Sequence, residues 1–192
     1  TCIQFFDDRP LISIKKTENS MYVENLNDTI IKTCFLFNQM ENNIDKDRIY
    51  VYGGSYGGYL TAMALGRDSD LFSGGVDIHG VHDRTLYGYL NSINYEKAPD
   101  YDLARETAWK SSPIADIDTW KSPVLIIHAD DDRNVYFKQS TDLVQRLRKK
   151  KVYMETMVIV DDTHHFMMFE NQMKVNKSTA DFLIRLAEGN IN

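Results

Sequence analysis

The chain has 192 residues, of which 43% are apolar and 26% are charged, and this is the composition of an ordinary globular domain with one core. Its net charge of −6 argues against a nucleic-acid partner, because binding to a phosphate backbone requires a basic surface. No apolar run is long enough to cross a bilayer, so no membrane segment is predicted. Two cysteines are too few for a disulfide framework and leave the compartment open.

The first 24 residues show no clear secondary-structure period. Residues 3–6 and 11–14 have the composition of short strands, and residues 15–20 have that of an exposed turn. We therefore expect 1–24 to be a divergent or poorly ordered segment. From residue 25 onward, apolar side chains recur at helical spacing, and these are Leu26, Ile30, Cys34, Phe37 and Met40.

Beyond residue 45, short apolar segments alternate with amphipathic ones. We predict strands at 49–53, 75–78, 123–128 and 153–160, and helices at 58–67, 102–109, 137–150 and 171–188. This alternation predicts an α/β fold, a mostly parallel sheet with helices on both faces. Such a sheet is usually larger than four strands, so the strand at 49–53 needs a further neighbour. Either residues 1–24 supply it, or the chain is the C-terminal part of a longer protein.

A glycine-rich turn joins the first of these strands to the helix after it. Residues 53–59 read Gly-Gly-Ser-Tyr-Gly-Gly-Tyr, which contains the pattern G-x-S-x-G. Between a strand and a helix, this pattern is a nucleophile elbow, which holds the serine in a strained conformation and lifts its hydroxyl above the sheet. Ser55 is therefore the candidate nucleophile.

A serine hydroxyl needs a base to take its proton and a carboxylate to orient that base. Acid candidates follow the strand at 123–128, and His164 and His165 follow the strand at 153–160. Because the carboxyl ends of parallel strands meet at one edge of a sheet, these groups should converge on Ser55. The residues alone leave the acid open among three neighbours, which are Asp130, Asp131 and Asp132.

Three further histidines carry weaker signals. His128 ends a strand and is interpreted as a packed residue. His79 and His82, with Asp83, suggest a zinc site as an alternative. We do not favour it, since no third ligand stands in helical register and the elbow would go unexplained. No metal site is predicted.

Several strings together resemble one family. They are GGSYGGY at 53–59, SSPIADIDTWKSPVLIIH at 111–128, DDDRNV at 130–135 and DDTHHF at 161–166. They are similar to the C-terminal α/β-hydrolase domain of the prolyl oligopeptidase family of serine peptidases, over residues 25–188. The resemblance implies that Ser55 is the nucleophile, Asp132 the orienting acid and His164 the general base. Residues 25–192 would then be the C-terminal part of such a domain, with its first strands missing.

The resemblance also implies roles beyond these three residues. The backbone N–H of Tyr56 corresponds to one oxyanion donor, and Asn134 corresponds to a contact with the substrate backbone. Tyr87 matches an aromatic wall of the substrate pocket, although a half-buried packing role is equally consistent with it. The family's mechanism requires no metal or organic cofactor. Its members carry an upstream β-propeller domain, and the second oxyanion donor comes from that upstream part.

Three functions follow as hypotheses. The leading one is a serine peptidase that cuts short peptides through an acyl-enzyme intermediate. An esterase would share the same elbow and the same three side chains. A catalytically silent domain used for interaction is the third, because an unpaired strand at 49–53 would expose an edge that invites a partner, a second copy of the chain included. We expect a fragment whose independent activity is in doubt.

Overall fold

The computed structural model describes residues 2–5, 45, 47–86 and 97–191. In this part of the chain, five strands form one sheet in the order β1-β2-β3-β4-β5, and every neighbouring pair is parallel. The strands are β1 Cys2–Phe5, β2 Tyr50–Gly54, β3 Gly74–Ile78, β4 Val124–Ala129 and β5 Met154–Ile159. The predicted parallel sheet is confirmed.

Within the described residues, four α-helices and two short 3-10 turns connect or follow the strands. The helices are α1 Tyr56–Arg67, α2 Tyr101–Lys110, α3 Lys138–Lys150 and α4 Phe169–Ala187, and the 3-10 turns are Arg84–Leu86 and Pro113–Asp116. Every strand and helix predicted after residue 45 is present, and the ends agree to within two residues. None of the helices within the described ranges is long and apolar enough to cross a bilayer.

The sheet has a hydrophobic core on each face. All six residues of β4 are buried, and the first four alternate between the two cores. Val124 and Ile126 pack on the face covered by α1 and α3, where Leu143 is fully buried. Leu125 and Ile127 pack on the other face against α4. The predicted placement of helices on both faces is confirmed, and it leaves the strand ends as the accessible edge.

Strand β1 is the neighbour that β2 was expected to need. Cys2 lies opposite Tyr50 and Phe5 lies opposite Gly53, so β2 is paired on both sides. This corrects the expectation of an unpaired edge on the serine-bearing strand. A strand of four residues is too short to display a reliable alternation of polar and apolar side chains. The segments predicted at 11–14 and 26–40 lie outside the described residues.

Helix α4 buries a different stripe from the one the sequence indicated. The predicted inward residues Leu183, Leu186 and Ala187 are only partly buried. The most buried apolar residues are Val175 and Phe182. The stripe was hidden because it also contains buried polar side chains at helical spacing, Asn171 and Thr179.

Candidate active site

The turn between β2 and α1 has the geometry of a nucleophile elbow. Ser55 lies between the two elements with φ 56° and ψ −116°, in the positive-φ region that residues other than glycine rarely adopt. Its amide N–H is shared between two acceptors, the carbonyl oxygen of Ile78 at 2.9 Å and Nδ1 of His79 at 3.0 Å. The end of β3 thus holds the strained serine in place.

The glycines around Ser55 are required by close packing. A Cβ on Gly53 would lie 2.7 Å from the carbonyl carbon of Gly57, in the first turn of α1. A Cβ on Gly58 would lie 2.6 Å from Oδ1 of Asp77 on β3. Both distances are shorter than carbon atoms tolerate, so a side chain at either position would push the helix away from the sheet.

A hydrogen-bonded chain links three side chains at the carboxyl edge of the sheet. The Oγ of Ser55 lies 2.9 Å from Nε2 of His164, and Nδ1 of His164 lies 2.6 Å from Oδ2 of Asp132. These residues are separated by 109 and 32 positions in sequence. They come from the loops after β2, β5 and β4, so the structure brings together the three residues that the resemblance selected.

The competing candidates are engaged elsewhere. Oδ1 of Asp130 accepts a hydrogen bond from the N–H of Asp161 at 2.9 Å. Asp131 lies on the surface, with Arg133 as its neighbour. His165 is exposed, and its ring centroid lies 5.3 Å from that of His164. Adjacent residues point in different directions, so among these candidates Asp132 and His164 are the two that the structure brings into a hydrogen-bonded chain with Ser55.

Asp132 is buried but fully hydrogen-bonded. Its Oδ1 accepts the N–H groups of Asn134 and Val135 at 2.8 and 2.9 Å, and its Oδ2 faces both His164 and His128. Burial alone would raise the pKa of this carboxyl group, but the hydrogen bonds from His128, His164 and Val135 hold it well below its usual range. The carboxylate therefore remains ionised beside the imidazole.

His128 does more than the packing role expected from its sequence. It is buried as predicted, and its Nε2 lies 3.2 Å from Oδ2 of Asp132 and 2.9 Å from the carbonyl oxygen of Val135. Both neighbours are acceptors, so Nε2 carries a hydrogen. Nδ1 is hydrogen-bonded to Oγ of Ser140 on α3 at 2.7 Å. His128 therefore anchors the acid loop to β4 and α3.

The loop that carries His164 is held by a second buried carboxylate. Oδ1 of Asp162 accepts the N–H groups of Thr163 and Met167 at 2.7 and 2.8 Å, and Oδ2 accepts from Nδ2 of Asn171 on α4. Burial would raise the pKa of Asp162, but these hydrogen bonds lower it. Sequence reasoning missed this residue, and its position two residues before the histidine was the available signal.

His79 also lies in the site, although the sequence suggested no role for it there. Its ring centroid is 4.1 Å from that of His164, with the planes inclined at 46°. Burial lowers the pKa of His79 to about 3, and the adjacent His164 and His128 act in the same direction. The imidazole is therefore neutral across the physiological range.

The arrangement has a bearing on metal binding. Among the described residues, His79, Asp132 and His164 form a group whose ligand atoms lie within 4.8 Å of one another. Two nitrogen or oxygen ligands of one tetrahedral zinc ion lie roughly 3.4 Å apart, whereas Nδ1 of His164 and Oδ2 of Asp132 are 2.6 Å apart. A zinc ion would have to break this hydrogen bond. The alternative set of His79, His82 and Asp83 does not form such a group within the described residues.

The remaining candidate residues stand as follows. Tyr56 is the first residue of α1 and is half-buried. Asn134 donates its backbone N–H to Asp132, and the residue is exposed on the loop after β4. Tyr87 lies outside the described residues.

Comparison with known proteins places this chain in a family. Residues 19–190 match the sequence profile of the prolyl oligopeptidase family. The chain is 29% identical over 154 residues to dipeptidyl aminopeptidase BIII of Pseudoxanthomonas mexicana, covering 75% of this chain and 22% of that protein. It is 31% identical over 122 residues to dipeptidyl peptidase 4 of Sus scrofa, covering 63% of this chain and 16% of that protein. The chain thus spans about a fifth of these relatives.

A solved structure agrees with the sequence matches. The structure of an acylaminoacyl peptidase in complex with Z-Gly-Gly-Phe-chloromethyl ketone superposes with a TM-score of 0.71 at 28% identity. The superposition covers 83% of this chain and 27% of the other. The profile match extends over nearly the whole chain, from before β2 to the end of α4. The chain belongs to the prolyl oligopeptidase family, with an α/β-hydrolase fold.

Proposed function

We propose that this chain is part of a serine peptidase that hydrolyses peptide bonds of short peptides. The observation that carries the proposal is the hydrogen-bonded chain from Ser55 through His164 to Asp132. An imidazole at 2.9 Å from a serine hydroxyl is within reach of its proton, and a carboxylate on the other nitrogen holds the ring in the required tautomer. Membership of a peptidase family supports the same reaction class.

The first half of the proposed reaction forms an acyl-enzyme. Oγ of Ser55 attacks the substrate carbonyl carbon while Nε2 of His164 takes the hydroxyl proton. The negative charge that develops on the carbonyl oxygen is stabilised by the backbone N–H of Tyr56, at the positive end of the α1 dipole. The imidazolium then donates its proton to the leaving amine as the peptide C–N bond breaks.

The second half releases the acid. Water attacks the acyl carbonyl carbon, His164 takes a proton from the water, and the same proton returns to Oγ of Ser55 as the ester bond breaks. In both halves the imidazole becomes positively charged. The Asp132 carboxylate, whose pKa is held low, remains ionised and stabilises that charge.

Substrate binding in the whole protein extends beyond this chain. We propose that Asn134 contacts the peptide backbone and that Tyr87 lines the pocket for the residue before the cut. An upstream β-propeller domain would restrict access to short peptides, and the upstream part would supply the second oxyanion donor. Without that donor, the rate of the isolated chain is expected to fall by on the order of 100-fold to 1000-fold.

The test is covalent labelling of the folded chain with a fluorophosphonate, followed by intact mass. One adduct is expected on the wild-type chain and none on Ser55→Ala. Ser73→Ala is the matched control. Ser73 directly precedes β3, at the edge of the sheet opposite to Ser55, and its hydroxyl donates to the Asp47 carbonyl oxygen. A folded wild-type chain without an adduct, or an adduct that persists in Ser55→Ala, would contradict the proposal. Peptide and ester substrates then separate a peptidase from an esterase.

A further inference from the structure

His79 contacts both residues that carry the proposed reacting groups, Ser55 and His164. It follows β3 directly, and its Nδ1 accepts the amide N–H of Ser55 at 3.0 Å. Its ring packs against the ring of His164 on one side, with a centroid distance of 4.1 Å, and against that of Phe166, at 5.3 Å. One side chain therefore touches the backbone of the proposed nucleophile and the ring of the proposed base.

The hydrogen-bond pattern defines the tautomer of this imidazole. An amide N–H donates to Nδ1, so this nitrogen carries no hydrogen and the neutral ring has its hydrogen on Nε2. The charged and titratable groups facing His79 are His164, His128 and Asp132. The carboxylate favours the protonated ring, but burial and the two imidazoles outweigh it and keep the pKa at about 3. A protonated ring would also lose the Ser55 hydrogen bond.

His79 is itself held in an unusual backbone conformation. Its φ is 43°, a region where histidine and asparagine occur more often than most residues. Its own N–H donates to the Ile127 carbonyl oxygen at 2.7 Å, which ties it to β4. A Cβ on Gly54 would lie 3.4 Å from its Cε1, so the ring fills the space beside the elbow. Two positive-φ residues, Ser55 and His79, are thus joined by a hydrogen bond.

We propose that His79 is a positioning residue that acts as a neutral imidazole, accepting the Ser55 amide hydrogen and packing against the ring of His164. The proposal rests on the proposed function, since it assigns His79 a part in aligning the two reacting groups. The hydrogen bond opposes relaxation of the strained elbow. The ring contact limits rotation of His164 away from Ser55 Oγ. Proton transfer over 2.9 Å depends on both.

Two substitutions separate the hydrogen bond from the ring. His79→Asn keeps an acceptor at the δ position and tolerates a positive φ, but removes the ring. His79→Gly also tolerates a positive φ and removes both contacts. We expect the fluorophosphonate labelling rate to fall in the order wild type, His79→Asn, His79→Gly. The glycine variant should lose on the order of 10-fold to 100-fold, because the Ile78 carbonyl remains as a second acceptor.

Free imidazole provides a readout that a purely structural role would not move. Added imidazole should enter the space left in His79→Gly and restore part of the labelling rate, with no effect on the wild-type chain. Urea unfolding of each variant establishes that it is folded before labelling. The proposal is overturned if His79→Gly labels as fast as wild type, or if the two variants are equally slow and imidazole restores nothing.

Nitrogen NMR of the wild-type imidazoles tests the ring state without any reaction. The His79 ring should remain neutral with its hydrogen on Nε2 at about pH 5, where an ordinary histidine is charged. A His79 that titrates at an ordinary pKa, or carries a hydrogen on Nδ1, overturns the proposal. A labelled wild-type chain with an unaffected glycine variant refutes the His79 proposal alone. A folded but unlabelled wild-type chain refutes the proposed function as well.

Discussion

Asp132–His164 and Asp77–His82 are two of the buried carboxylate–imidazole pairs in the described part of this domain, and only the first reaches the hydroxyl group of Ser55. Asp132 and His164 are 2.6 Å apart, and His164 continues to Ser55 Oγ. Asp77 and His82 are 2.5 Å apart, but Nδ1 of His82 is buried without a hydrogen-bond partner among the described residues. The same two residue types, aspartate and histidine, therefore form one pair that leads to a serine hydroxyl and one pair that is enclosed in the protein.

The difference comes from where each carboxylate stands relative to its strand. Asp132 follows β4 in a loop at the open edge, whereas Asp77 lies within β3, under the first turn of α1. A Cβ on Gly80 would lie 2.6 Å from Oδ1 of Asp77, so the chain closes over that pair completely. His82 is fully buried, and His164 retains 7% of its exposure. The second imidazole nitrogen thus distinguishes the two pairs: it is enclosed in the Asp77–His82 pair and faces Ser55 Oγ in the Asp132–His164 pair.

The largest expected effect is on the labelling rate of Ser55, which should fall when the Asp132 charge is removed but not when the Asp77 charge is removed. Asp132→Asn should slow fluorophosphonate labelling of Ser55 by on the order of 10,000-fold, since the amide favours the wrong tautomer of His164. Asp77→Asn is the matched control and should change the labelling rate little. Both variants are compared by rate of mass increase under one set of conditions. Equal losses in the two variants would mean that the two pairs do not differ as described.

The second-largest effect is on the free energy of unfolding, and it is expected at the Asp77–His82 pair. Asp77→Ala leaves His82 buried without its partner, and breaking a buried pair in this way costs about 3 to 5 kcal/mol. The free energy of unfolding, from urea titration followed by circular dichroism, measures the loss. His82→Ala should produce a similar loss, because Asp77 is then the uncompensated charge. A loss below 1 kcal/mol, within the range typical of surface sites, would contradict the structural role of the pair.

A smaller effect is expected from the packing over Asp77. Gly58→Ala places a methyl group 2.6 Å from Asp77 Oδ1 and 2.7 Å from the Ile78 carbonyl oxygen, and such overpacking costs about 1 to 3 kcal/mol. Gly66→Ala on the same helix is the control, because its nearest contacts are 3.3 Å and belong to the side chains of Asp116 and Trp120. Both changes gain the same helix propensity. If the two variants unfold at equal urea concentration, the close approach of α1 to β3 is not limiting.

The smallest effect is the pH dependence of stability, which should have opposite signs at two histidines. The folded pKa of His79 is about 3, below its ordinary value of 6.5, so its stabilising contribution is present above pH 6.5 and is lost as pH falls toward 3. Burial would lower the pKa of His82, but the Asp77 carboxylate raises it above 6.5. That contribution is present below pH 6.5 and is lost as pH rises through the folded pKa.

Two variants check these signs. The free energy of unfolding between about pH 4 and about pH 9 should decline toward acid less steeply in His79→Asn than in wild type. It should decline toward alkali less steeply in Asp77→Asn, which removes the carboxylate that raises the pKa of His82. Unchanged slopes in both variants would show that neither imidazole titrates with the stated shift.

The order of elements and the position of the elbow that carries Ser55, the candidate nucleophile, were readable from the sequence alone. Local signals carry this information, because strand alternation, helical spacing and the glycines of the elbow act over a few neighbouring residues. The motif resemblance further separated Asp132 from its two acidic neighbours and His164 from His165, where periodicity could not. Strand β1 was indicated only as a candidate short strand at 3–6, because so few residues hold too little pattern to decide between a strand and a loop.

Only the tertiary structure decided what surrounds the three side chains. Three contacts illustrate this: His128 with Asp132, His79 with His164, and Asp162 with the loop that carries His164. They join segments far apart in sequence, or side chains whose direction depends on the geometry of a loop. Their residue types do not reveal these contacts, since a histidine after a strand is as compatible with the closed Asp77 pair as with the open edge. Whether the second nitrogen of such a histidine is buried, and which group it faces, is decided only when the strands pack side by side.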